Sequence, residues 1–147
     1  MAKKFDFRYE SILKLRAEKV TQAQESLNQA VKVRLDKEKS IEDYKNYKSN
    51  INITEEKSTK AADLQNKIYH KQHIENEIKK LEKEKEQILE IEKLRRSKLT
   101  VAMKDEKVME KLKDKKLQQH SDDIKLEESK FFDEIGINQV HKNKRDK

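Results

Sequence analysis

The chain has 147 residues, 44% of them charged and 33% hydrophobic, with a formal charge of +7, one glycine, no proline and no cysteine. That balance cannot fill a compact globular core, and the missing cysteine excludes disulfides, zinc–thiolate sites and thiol nucleophiles. No apolar run reaches signal-peptide or bilayer-spanning length, so a cytoplasmic protein is expected.

Lys, Glu, Leu, Ile and Gln dominate, which suits long helices whose narrow apolar seam needs few hydrophobes. Charge this dense also describes disordered tails, so periodicity has to decide. The opening stretch, KFDFRYESILKL, holds Phe5 and Phe7, two of only four phenylalanines. A heptad seam follows, with Leu13, Val20, Leu27, Arg34 and Ile41 at the a positions and Arg16, Ala23, Ala30, Lys37 and Tyr44 at d. It predicts a first helix over about 4–48. The run SNINITEEKST, residues 49–59, collects helix-disfavouring Ser and Asn and predicts a turn.

A second pattern then opens with Ile74, Ile78, Leu81 and Ile88. Its register shifts to Ile91, Leu94, Val101, Val108 and Leu112, and again to Leu117, Ile124 and Phe131, in the manner of stutters. A second helix is expected over 60–135, stopping at Ile135-Gly136-Ile137, with a frayed basic tail over 137–147. The sustained periodicity favours helix over disorder. The expected fold is all-α: one domain, residues 1–147, folded as a long antiparallel two-helix coiled-coil hairpin.

A reversal near residue 56 places Tyr44 opposite Tyr69, with Tyr47 close by. Phe5 then falls opposite roughly residue 108, and the second helix runs on past the first, on a register estimate. Leu117, Ile124, Phe131, Phe132 and Ile135 are left there without a partner in the chain. The rival geometry reverses near 68–73 and lets the phenylalanines face one another. In either case the hairpin satisfies most of its own seam, so a free monomer is expected.

The excess charge sits at the ends. Residues 1–20 carry six basic and three acidic side chains, and residues 137–147 carry four and one. The balanced middle reads as a solvated helix surface rather than a nucleic-acid stripe. No catalytic constellation, phosphate loop or cofactor motif is present. His70 and His73 share a helix face, but nothing near them in sequence suggests a third metal ligand. No enzyme activity, no cofactor and no metal are expected. A basic coiled-coil protein that binds nucleic acid or ribosomes is the alternative reading.

Two terminal motifs carry a resemblance. Phe5, Phe7, Tyr9, Ile12, Leu13, Leu15 and Arg16 form an opening F-x-F-x-Y-x-x-I-L-x-L-R, similar to the start of the FliJ family of flagellar export proteins. Glu128-Ser129-Lys130-Phe131-Phe132-Asp133-Glu134 resembles that family's C-terminal E-Q-K-x-x-D-E, with serine in the glutamine place. The resemblance implies a non-enzymatic stalk of the type III flagellar export ATPase. It would be held in the ATPase hexamer through its ends: Phe5, Phe7, Leu13, Leu15, Leu117, Ile124, Phe131, Phe132, Asp133 and Glu134. It also implies contact with a membrane protein of the export gate near the hairpin turn, through Tyr44, Tyr47, Tyr69 and His73. A part in handling export chaperones, and a place at the inner face of the cell membrane, come with it.

Overall fold

The computed structural model describes residues 3–51 and 60–145. They form an all-α helical hairpin of two antiparallel helices, α1 (Glu10–Ser49) and α2 (Ala61–Arg145), with no strand among the described residues. The chain groups into two compact units. One takes the chain up to Lys19 and from Met103 on; the other is Val20–Ala102.

In the Val20–Ala102 unit, the heptad positions of α1 point inward. Leu27, Ala30 and Ile41 are buried, and Val20, Ala23, Arg34 and Lys37 are half-buried, while Tyr44 is exposed. The driest contact joins Ile41 to Ile74 and Ile78, with Ile51 and Leu81 against it. Ion pairs flank it, Lys37 to Glu84 at 2.7 Å and Lys48 to Glu75 at 2.8 Å. Partnered residue numbers therefore sum to about 123 rather than 113. The expected pairing of Tyr44 with Tyr69 is replaced by Tyr47 with His70. The pairs that hold this register are polar, Lys37 with Glu84, Lys48 with Glu75 and Arg95 with the Ser26 carbonyl, and Ile41 packs on Ile74 and Ile78 beside them. A reversal near 68–73 is overturned by the same contact. Most of the expected turn, residues 52–59, lies outside the described residues.

The expected register shift after Ile88 does not occur. Inward positions continue from Ile74 and Ile78 through Leu81, Lys85 and Ile88 to Glu92, Arg95, Leu99 and Ala102, in unbroken steps of three and four. Ile91, Leu94 and Val101, assigned to the shifted seam, lie on the outer surface. Bringing them inward would need successive steps of three after Ile88, which overwinds the helix pair. The structure keeps an even coil and accepts charge in the seam instead.

In the other unit the same register brings Met109 into the buried set and leaves Val108 exposed. The helix expected from residue 4 begins at Glu10, where the backbone N–H of Glu10 donates to the Phe7 carbonyl at 3.0 Å. Residues 3–7 are irregular. Side chains two apart share a side in extended chain and diverge on a helix, so the irregular stretch lets both Phe5 and Phe7 turn inward. At the other end α2 does not stop at Gly136 but runs to Arg145. Gly136 does not adopt positive φ, no proline follows, and Lys142, Lys144 and Arg145 complement the helix dipole in the last turn. The expected frayed tail over 137–145 is therefore helix.

Candidate functional site

In the terminal unit the N-terminal segment packs on α2 near His120. Phe7 is buried, and its ring meets Tyr9 edge-on at 5.9 Å between centroids. Phe5 lies against the His120 ring at 5.6 Å, and His120 Nε2 is 2.8 Å from the Lys3 carbonyl oxygen. Lys113 pairs with Glu10 at 2.9 Å, and Arg16 donates to the Asp105 carbonyl at 2.8 Å. Five residues of the expected terminal set thus serve different ends. Phe5, Phe7 and Leu13 are packed within the unit, Ile124 is half-buried, and Leu15 is exposed.

Beyond Ile124 the surface changes. Every residue from 125 to 145 is exposed. Phe131 and Phe132 stand 60% and 68% accessible, touching edge-on at 6.1 Å. Phe132, Gly136, Ile137 and Val140 line a shallow concavity with Asp133 and His141. The side chain that glycine lacks is part of that opening, since a Cβ at Gly136 would meet nothing within 4 Å. Asp133 and Glu134 are exposed beside it, and Leu117 is exposed on the covered stretch. The overhang expected from about residue 109 begins instead near 125, because the register places Lys3 beside His120.

In the Val20–Ala102 unit the expected gate residues are exposed. Tyr47 is edge-on to His70 at 5.6 Å, its hydroxyl 3.2 Å from Nε2. Tyr69 accepts from Gln65 at 3.3 Å, and Tyr44 and His73 present to solvent. His70 therefore faces a tyrosine rather than pairing with His73. Among the described residues no group of three His, Asp or Glu side chains could hold a metal. The aromatic partners of His70 and His120 are not legible in the sequence, because each becomes a partner only once the register is known.

A family model described as "Flagellar FliJ protein" matches residues 5–145. The chain belongs to the FliJ family. Comparison with curated proteins and with solved structures gave no match. Membership makes this a flagellar export-related protein, and the match runs through both terminal motifs and the middle of the chain. No helix among the described residues is long and apolar enough to cross a membrane.

Proposed function

We propose that this FliJ-family chain is a non-enzymatic coupling component of the flagellar export apparatus that docks on the export ATPase through the bare end of α2. The observation that carries the reading is the run Phe131, Phe132, Ile135, Ile137 and Val140, apolar and uncovered over the last turns of the helix. Large apolar side chains left open at this density mark a surface meant for a partner. Asp133 and Glu134 sit among them and would orient the contact without supplying most of its energy. Phe5, Phe7 and Leu13 take the part of support: they hold the N-terminal segment on α2 and leave the distal turns free.

Contact with the export gate is assigned to Tyr44, Tyr69 and His73, which face solvent, with Tyr47 fixed beside them by His70. Delivery of export chaperones and a peripheral position at the cytoplasmic face of the membrane belong to the same reading. Replacing Phe131, Phe132 and Ile135 together by alanine tests it. Each such side chain contributes on the order of 1.5–3 kcal/mol when buried in a partner. Affinity for the purified ATPase should therefore fall by about a hundredfold or more, allowing for non-additivity. Unchanged affinity refutes the docking assignment.

A further inference from the structure

Charge and apolarity are exchanged between inside and outside at one level of the Val20–Ala102 unit. Glu92 is 6% accessible, the only buried charged residue among those described. Arg34 Nε donates to its Oε2 at 2.7 Å and Arg96 Nη2 to its Oε1 at 3.1 Å. Arg34 Nη1 also donates to Glu38 at 2.8 Å, and Lys85 reaches the same Glu38 oxygen at 3.3 Å. Arg95, the next inward position, donates to the Ser26 carbonyl at 2.7 Å. Meanwhile Ile91, Leu94 and Val101 stand 45%, 58% and 58% accessible.

These two sets differ by one residue. Ile91 precedes Glu92, Leu94 precedes Arg95 and Val101 precedes Ala102. A helix turns about 100° per residue. A rotation of that size, with a shift of about 1.5 Å along the axis, would replace Glu92, Arg95 and Ala102 in the seam by Ile91, Leu94 and Val101. Leu99 would be exchanged for Lys98, so the alternative seam is the more apolar of the two. Opposite it, α1 offers Leu27 and Ala30, which are buried already, and Val20 and Ala23.

We infer that α2 between Ile88 and Ala102 has two packing registers on α1, and that the Arg34–Glu92–Glu38–Arg96 cluster is the latch that holds the observed one. The two arrangements oppose different costs. The observed register needs charges in the seam and satisfies them with paired hydrogen bonds. The alternative buries isoleucine, leucine and valine but overwinds the pair after Ile88, whose upstream neighbours Ile74 and Ile78 stay in place. Packed helices change by discrete jumps rather than by continuous drift, so such a pair of states forms a switch. Polar residues in a coiled-coil seam have the setting of register as their best-attested role.

The absence of cysteine from the chain makes the test direct. In the full chain, Val20→Cys with Ala102→Cys reports the observed register, and Val20→Cys with Val101→Cys reports the alternative. A disulfide needs Cα atoms within about 7 Å, so only the facing pair closes readily under a mild oxidant. With the latch intact, the 20–102 pair should close faster. Glu92→Gln should raise the rate of the 20–101 pair by at least about fivefold and slow the 20–102 pair. Adding Leu94→Gln, on a side chain exposed in the observed register, should cancel that gain. Preference for the 20–102 pair in every background overturns the inference. So does a Glu92→Gln variant that melts without favouring 20–101, or a gain that survives Leu94→Gln.

Discussion

Two stretches of α2 in the terminal unit have similar composition and opposite fates. From Met103 to Ile124 the helix is lined by the N-terminal segment and the first turns of α1, and Met109 and Phe7 are buried there. From residue 125 onward the same helix carries Leu126, Phe131, Phe132, Ile137 and Val140 in the open. Apolar residues stand on both sides of the divide. What separates them is the reach of the first arm: Lys3 meets His120, and nothing of the described chain covers the turns after that. The lesson is that apolar residues in a thin hairpin hold either the chain or a partner, and register decides which.

The comparison breaks most visibly at Phe7. Phe7→Ala removes a buried ring and should lower the stability of the free protein by about 3 kcal/mol, read as a shift in chemical or thermal unfolding. Phe131→Ala with Phe132→Ala should instead leave unfolding within about 0.5 kcal/mol of the parent, since exposed positions carry little. A loss comparable to that of Phe7→Ala would mean that the distal rings pack within the chain.

Acid sharpens the contrast from the other unit. Arg34, and then Lys85, hold the Glu38 carboxyl below the usual carboxylate range; Lys48 does so for Glu75 and Lys37 for Glu84. A carboxyl whose folded pKa lies below its unfolded value binds fewer protons when folded. Its contribution is complete above the unfolded pKa of about 4.3 and is lost as pH falls through the lower folded values. Stability should therefore fall on acidification below about pH 5, and added salt should reduce the effect because these pairs are largely exposed. A midpoint indifferent to pH between 5 and 3 would show that the flanking pairs contribute nothing.

The smallest effect is expected at Gly136. Alanine there meets no neighbour, and a helix interior favours it over glycine by up to about 1 kcal/mol. Gly136→Ala should slow amide exchange in the turns around it and leave the midpoint of global unfolding unchanged. Faster exchange would mean that glycine serves a bend at that point.

Much of the fold was legible because the heptad of α1 is regular. Leu13, Val20, Leu27 and Ile41 recur at sevens, and the inward faces follow them. The second arm misled where its best apolar stripe, Ile91, Leu94 and Val101, was not the one buried: periodicity shows which residues share a face, not which face the partner takes. The register misleads because a turn-centred estimate ignores the cross-helix ion pairs, Lys37 with Glu84 and Lys48 with Glu75, which hold the arms about ten residues further along. That offset moved the bare stretch from about residue 109 to residue 125 and hid the contact of Phe5 with His120. Phe131 and Phe132 are legible as open because they lie beyond the first arm in both registers. Gly136 suggests a stop because its residue type permits one; only the backbone shows that the freedom is not used.

The most direct measurement is hydrogen exchange on the full chain, free and bound to the export ATPase hexamer. Peptides covering residues 125–140 should exchange readily in the free protein and become strongly protected in the complex. Those around Ile74 and Ile78 should be protected to the same degree in both. Protection that appears only in Val20–Ala102, with residues 125–140 unchanged on binding, would contradict the account.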